Sequence, residues 1–160
     1  RLSRRSASVW IACGDASDGI GRLLADGLAM LRPSVHRVGG NPVRLAGLSA
    51  RVAPRDVVVA LDLRRYDRWV LDWVERAAEA GASLVVLTDS AVSPLARLAA
   101  GDAEVFTVVA ESAGPFDTYV GALALFDALV AGVADRTRST ATAALDRVES
   151  AWREAGVLAE

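Results

Sequence analysis

The sequence predicts an α/β protein: a three-layer, doubly wound sheet of five parallel strands, order 2-1-3-4-5, with helices on both faces. Three observations predict it. Five short apolar runs alternate with longer stretches of helical period. The third run, Asp56-Val57-Val58-Val59-Ala60-Leu61, is apolar on both faces, as a central parallel strand is. Right-handed crossovers then leave few permitted strand orders, of which 2-1-3-4-5 leads.

Ser8 to Cys13 reads as the first strand, bounded by Gly14 and Asp15. Ile20, Leu23, Leu24, Gly27, Leu28 and Leu31 recur at three- and four-residue steps and mark a helix from about Ser17 to Arg32, stopped by Pro33. Ser34 to Val38 is a short second strand, and Asn41-Pro42 supplies the cap and first turn of a weaker helix. After the central strand, Trp69, Val70, Trp73, Val74 and Ala77 make a helix closed by Gly81. Ala82 to Leu87 is the fourth strand, Ser93-Pro94 opens a short helix to about Ala100, and Glu104 to Val109 is the fifth strand. Phe116 to about Ala134 reads as a helix apolar nearly all round, which places it centrally or at a subunit interface. Ala141, Leu145, Val148 and Trp152 form the narrow seam of a last helix.

A length of 160 residues suits one domain, since single cores run to ~100–200 residues. The expected division is a basic lead-in at 1–7, the α/β domain at 8–136 and a helix at 137–160 that packs on the domain or on a dimer partner. The basic opening without Met is expected to be a piece of a chain that extends upstream. Hydrophobic residues at 52% and charged residues at 24% fit a folded globular chain. All 18 basic residues are Arg, with one His (His36) and one Cys (Cys13). Without Lys there is neither a Schiff base nor a Walker-type phosphate lysine. One His and one Cys exclude zinc-finger sites and an intramolecular disulfide. A net charge of −2 excludes electrostatic nucleic-acid binding by this domain itself. No apolar run approaches the ~18–20 residues of a bilayer span, so no membrane partner is expected, and the single Cys fits a cytoplasmic setting. No cofactor and no metal is expected.

The predicted strand order places ligands outside the carboxyl ends of strands one and three. The first of the loops there is Cys13-Gly14-Asp15-Ala16-Ser17-Asp18. It is either an anion site at a helix N-terminus or a turn at Gly14 followed by an N-cap at Ser17. The second loop is Asp62-Leu63-Arg64-Arg65-Tyr66-Asp67-Arg68. Its Arg residues either grip a carboxylate or phosphate, or pair with Asp15, Asp18, Asp62 and Asp67 in a solvated network.

Thr88-Asp89-Ser90-Ala91-Val92-Ser93-Pro94-Leu95-Ala96, Ala110-Glu111-Ser112 and the run from Ala122 to Val130 resemble the sugar isomerase (SIS) domain family. The resemblance covers about Val9 to Asp135 and is nearest the effector-sensing domain of RpiR-type bacterial transcriptional regulators. That implies a homodimer that senses a small anionic carbohydrate, such as a sugar phosphate or sugar acid. DNA would be contacted only through a helix-turn-helix domain outside this chain. The Arg-Arg-Tyr loop and the Ala- and Arg-rich composition resemble an actinobacterial branch. The chain departs from the family's G-x-G-x-S turn, where Cys13 and Asp15 replace glycines and Ser17 keeps the hydroxyl. It departs again at the S-x-S-G-x-T loop, where Asp62, Arg64 and Asp67 replace hydroxyls and Arg65 replaces glycine. Either Arg64 or Arg65 substitutes as the anion ligand, or these side chains fill the pocket. The expected ligand-binding set is Gly14, Ser17, Asp62, Arg64, Arg65, Asp67, Glu111 and Ser112.

Aldose–ketose isomerisation needs a base and an acid at adjacent carbons. Glu111 stands where isomerising SIS domains place a carboxylate. His36, however, falls in the edge strand away from it, and Cys13 ends a buried strand as a small hydrophobe. Catalysis is therefore not expected. The remaining alternatives are a stand-alone sugar-phosphate isomerase and a degenerate SIS domain that only dimerises.

Overall fold

Side chains of a strand point alternately to opposite faces of its sheet, and this alternation divides the core of the chain into two layers. The computed structural model describes residues 1–4, 6–99, 101 and 103–158. Its strands are β1 (Val9–Cys13), β2 (Val35–Val38), β3 (Val57–Leu61), β4 (Ser83–Thr88) and β5 (Glu104–Thr107). They form one sheet in the order β2-β1-β3-β4-β5, every pairing parallel. The helices are α1 (Asp18–Leu31), α2 (Pro42–Ser49), α3 (Arg68–Glu79), α4 (Pro94–Arg97), α5 (Val120–Arg136) and α6 (Arg138–Ala155), with a 3-10 turn at Asp15–Ser17 before α1.

On one face Val9, Ile11 and Cys13 of β1, and Val57, Val59 and Leu61 of β3, pack on Leu24 and Leu28 of α1, Phe126 of α5 and Ala141 of α6. On the other, Trp10, Ala12, Val58 and Ala60 pack on Val70, Trp73, Val74 and Ala77 of α3 and Leu95 of α4. Every residue of β3 is buried, which is why that run carries no polar side chain. The caps follow the sequence signals. Asn41 Oδ1 accepts the Arg44 N–H at 2.9 Å, Ser93 Oγ accepts the Ala96 N–H at 3.0 Å, and Gly81 turns the chain after α3 at φ +85°.

The structure corrects some boundaries. β5 ends at Thr107 rather than Val109, and the apolar helix begins at Val120 rather than Phe116. Pro115 and two hydroxyls explain the second shift. Ser112 Oγ donates to the Phe116 carbonyl and accepts the Gly114 N–H, which closes a turn, while Thr118 Oγ1 accepts the Val120 N–H where the helix starts. Phe116 is left 82% exposed. α4 ends at Arg97, with Leu98 as its C-cap, rather than near Ala100.

The opening segment is held to the domain. The buried Arg32 guanidinium donates to the carbonyls of Leu2 and Ala7, and Leu2 joins the core under α1. At the amino edge of the sheet, buried Asp56 accepts three hydrogen bonds, from Ser8 N–H (2.9 Å), Trp10 Nε1–H (2.9 Å) and Ala53 N–H (3.1 Å). Helix α5 buries Ala122, Phe126 and Val133 against the sheet but leaves Val120 74% and Leu123 36% exposed. Among the described residues no helix is long and apolar enough to cross a membrane.

Candidate ligand site at the carboxyl edge

Parallel order brings the loops after β1 and β3 side by side, and carboxylates join them. Asp62, 2% exposed, accepts the Leu63 N–H on Oδ1 at 3.0 Å and the Asp67 N–H on Oδ2 at 2.7 Å. The carboxylate lies directly over Gly14, where a Cβ would stand 2.4 Å from Oδ1. Gly14 has an ordinary φ of −58°, so it is space rather than backbone freedom that this position requires. Asp67 stands at the N-cap of α3, yet its Oδ2 reaches across to accept the Asp15 N–H at 2.6 Å. Burial pushes the Asp62 carboxyl up to about 6, and the neighbouring Asp67 and Asp15 add to this while the Asp67 and Leu63 N–H groups oppose it. Ser17 precedes α1 without capping it, and its Oγ is buried and makes no hydrogen bond among the described residues.

Arg64 lies on the β4–β5 side of this junction. It adopts φ +58°, its N–H donates to Asp89 Oδ1 at 3.0 Å, and its guanidinium stands 3.4 Å from Asp117. With Asp89 and the chain from Thr107 to Glu111 it lines a cleft of about 420 Å³. The Tyr66 hydroxyl donates to Asp89 Oδ1 and lies 3.2 Å from Thr88 Oγ1, which in turn donates to Ser93 Oγ at 2.9 Å. Burial and the bond to Asp89 raise the Tyr66 pKa. Burial would raise that of Asp89, but the hydrogen bonds from Tyr66 and the Arg64 N–H outweigh it and hold the carboxyl low. A loop residue in the left-handed region is thus fixed by a half-buried polar chain that leads to the buried Thr88 and Ser93 hydroxyls.

The expected residues therefore divide. Gly14, Asp62 and Asp67 come together in the junction, with Ser17 buried at the start of α1. Arg64 and Glu111 share the cleft, Arg65 is exposed without an ion pair among the described residues, and Ser112 serves its own turn.

A family model for the SIS domain matches residues 2–132. The chain belongs to the SIS domain family. Comparison with curated proteins gives no match. Among solved structures, the chain is similar to the sugar isomerase domain of an RpiR transcription factor from Sphaerobacter thermophilus. That match has 28% identity and a TM-score of 0.83, covering 93% of this chain and 81% of that one. The NanR protein of Vibrio vulnificus, complexed with ManNAc-6P, shares 22% identity and a TM-score of 0.77, covering 99% of this chain and 60% of that one. An E. coli CFT073 protein in complex with a sugar phosphate shares the fold at 22% identity and a TM-score of 0.69, covering 89% and 76%.

Within this SIS domain the Thr88-Asp89 and Ser93-Pro94 segment has a visible structural role, since it holds the β3–α3 loop through Tyr66 and caps α4. His36 packs on the Trp10 ring at 4.6 Å between centroids, and burial and Arg51 lower its pKa. Cys13 is buried and its thiol is pushed up to about 12, the behaviour of a core residue. Sequence pattern does not single out Arg37, Arg44 and Trp69, which line another cleft at the ends of β1 and β2. The signal for it is Gly39-Gly40 directly after the second strand, a break that leaves room at a strand's carboxyl end.

Proposed function

We propose that this SIS domain is the effector-binding and dimerisation domain of an RpiR-type transcriptional regulator, sensing a small anionic carbohydrate at its carboxyl edge. The observation that carries the proposal is Arg64. Its backbone is fixed by Asp89, while its guanidinium lines an open cleft and is engaged, among the described residues, only by Asp117 at 3.4 Å. A half-exposed guanidinium over a cleft suits a phosphate or carboxylate. Glu111 in the same cleft would accept sugar hydroxyls, with Arg65 and Ser112 at the rim and Gly14, Ser17, Asp62 and Asp67 bracing the adjoining loops. Similarity to the RpiR domain, and the sugar phosphates bound by NanR and the E. coli protein, support this class of ligand.

Isomerase activity has less support. His36 lies in β2 and Glu111 follows β5, four strand spacings apart in the sheet, or about 19 Å at ~4.8 Å each. Within one protomer that separation does not suit a shared role at adjacent carbons of one sugar. The exposed Val120 and Leu123 of α5, with Leu145 and Trp152 of α6, suit a two-fold homodimer. A regulator of this kind would act in the cytoplasm and meet DNA through a domain outside this chain.

The test is a thermal-shift series with ribose 5-phosphate, glucose 6-phosphate, ManNAc-6P and 6-phosphogluconate. A ligand at 100 times its Kd adds about 2.7 kcal/mol of stability, a clear rise in Tm that Arg64→Ala should abolish. A second reading, a degenerate domain that only dimerises, is favoured by the Asp62 carboxylate lying against Gly14. It becomes the better account if no compound raises Tm at millimolar concentration.

A further inference from the structure

A parallel strand of a three-layer sheet is covered on both faces, and β1 and β3 are buried along their whole length. β5 is not: Glu104, Val105 and Thr107 are exposed and Phe106 is half-buried. Beside it, at the amino ends of β4 and β5, runs a groove of about 560 Å³ that shares no lining residue with the Arg64 cleft. Its apolar lining is Val85, Phe106, Leu129 and Val133, with Ala128 and Gly132 of α5. Gly132 keeps the α5 side open, since nothing lies within 4 Å of where a Cβ would stand. Arg1, Glu104 and Arg136 stand at the polar margin, and Asp135 there is engaged by Arg138. Arg136 makes no ion pair among the described residues.

The same chain carries a second uncovered apolar surface. Ala141, Leu145, Val148 and Trp152 recur at steps of four, three and four along α6. Of that helix only Ala141 is buried, while Leu145 is 38% and Trp152 39% exposed. Beyond the helix end at Gly156, Val157 and Leu158 are exposed as well. Within one chain the stripe and the groove do not meet, because α5 stands between them. Its Val130 packs towards α1 at Gly27, where a Cβ would lie 3.3 Å from Val130 Cγ2, while its Leu129 and Gly132 line the groove. α6 lies on the α1 side, its Ala144 and Val148 sharing a hollow with Met30 and Leu31.

We propose that two copies of the chain exchange these surfaces, the Leu145–Trp152 stripe of each α6 lying in the β5 groove of the other copy. This contact rests on the homodimer reading above and specifies how the two copies meet. A stripe that fits a groove elsewhere on the same molecule closes into a dimer when a two-fold axis makes the contact reciprocal. Trp152 is the kind of large aromatic anchor that carries interface energy. Asp146, without an ion pair among the described residues, brings an acid to the Arg136 margin. From Thr142 to Leu158 the segment is about 25 Å long, at ~1.5 Å per residue, and about 10 Å wide. Two reciprocal contacts of that size bury on the order of 1,000 Å², the threshold of a specific interface. The exposed Val120 and Leu123 of α5 add to that area.

Sedimentation equilibrium of the whole chain tests this by complementation. Gly132→Arg fills the groove and Trp152→Gln removes the anchor. Both positions are exposed, so each variant should keep the parent's far-ultraviolet circular dichroism. Each alone should dimerise about tenfold or more weakly than the parent. Their equimolar mixture should associate severalfold more tightly than either alone, because a sound stripe then meets a sound groove once per dimer. Ala128→Arg and Leu145→Gln, also exposed, repeat the pair if either variant loses helical signal. A mixture no tighter than its components overturns the exchange and leaves a dimer through like faces. Parental dimerisation by Gly132→Arg overturns it as well. A monomeric parent overturns the exchange and the homodimer reading together, while the thermal-shift series still decides effector binding separately.

Discussion

Replacing Gly14 by Ala tests the junction between the two loops. The backbone there is ordinary, at φ −58° and ψ 156°, so the substitution carries no conformational penalty. What it meets is the Asp62 carboxylate, at 2.4 Å from Oδ1 and 2.7 Å from both Cγ and Oδ2. These contacts lie far inside the ~3.5–4.0 Å of favourable packing, so the carboxylate must move. Moving it breaks the bonds from Leu63 N–H (3.0 Å) and Asp67 N–H (2.7 Å). Each hydrogen bond to a charged group is worth ~1.5–3 kcal/mol, and release of a buried carboxylate to water returns part of the sum. A loss on the order of 3 kcal/mol results. The assay is urea unfolding of the parent, Gly14→Ala, Asp62→Ala and the double variant as a cycle. Because the three heavy atoms nearest the methyl group all belong to Asp62, Gly14→Ala should cost far less once Asp62 is Ala. Gly47→Ala is the control: nothing lies within 4 Å of a Cβ at that position in α2, and a gain of ~0.4–1 kcal/mol is expected. An additive cycle, within about 0.5 kcal/mol, would refute the reasoning.

Three further outcomes are expected. The Asp62 carboxyl, pushed up to about 6, binds its proton in the folded state before the unfolded chain does. Stability should therefore rise as pH falls from 7 towards 4, on the order of 1–2 kcal/mol more in the parent than in Asp62→Asn by unfolding at each pH. Cys13, its thiol pushed up to about 12 by burial, should stay inert to a thiol reagent in the native protein and react at once in urea. Val120→Asp adds an acid to the first turn of α5 at a position 74% exposed, so monomer stability should hold within ~0.5 kcal/mol while sedimentation shifts from dimer to monomer.

The sheet is legible because its instructions are local. Runs such as Val57 to Leu61 contain no polar residue, and once parallel strands are granted crossover handedness leaves few strand orders, the observed one leading among them. Caps at Asn41, Ser93 and Gly81 are equally readable, each being a short-range bond or a backbone preference. The start of α5 is not, because apolar periodicity continues back to Phe116, while the Ser112 turn and the Thr118 hydroxyl, which accepts the Val120 N–H, decide the boundary. In the site, composition locates the Arg-rich loop but not its geometry. That Arg64 turns towards Asp89 and Asp117 depends on a left-handed φ and a tyrosine bond, neither of which has a spacing signature. The fold of Arg44 over Gly40 is hidden for the same reason, since it requires one residue's dihedral and another's side-chain path together.

The carboxylates at the junction bear on how such a domain could signal. Backbone N–H groups in a folded loop need acceptors, whether these come from a ligand or from the chain. Here the chain itself supplies them: Asp62 and Asp67 accept the N–H groups of Leu63, Asp67 and Asp15. These three N–H groups of the loops after β1 and β3 are thus satisfied by the chain's own carboxylates, and a ligand is not needed as their acceptor. A ligand shifts a conformational equilibrium only through its differential affinity for the two states. In this chain that difference has to arise at groups still free to respond. The Arg64–Asp117 pair is such a group, because Asp117 lies two residues before Tyr119, the N-cap of α5. An anion drawing Arg64 away from Asp117 would act on the start of the helix whose exposed Val120 and Leu123 belong to the proposed dimer face. In the proposed dimer, coupling from cleft to interface would run through one ion pair and one helix end. Asp117→Asn should accordingly tighten anion binding, since Arg64 no longer has to leave a carboxylate, and weaken the dependence of dimerisation on ligand, as read by sedimentation with and without the sugar phosphate. Unchanged coupling in that variant would exclude this route.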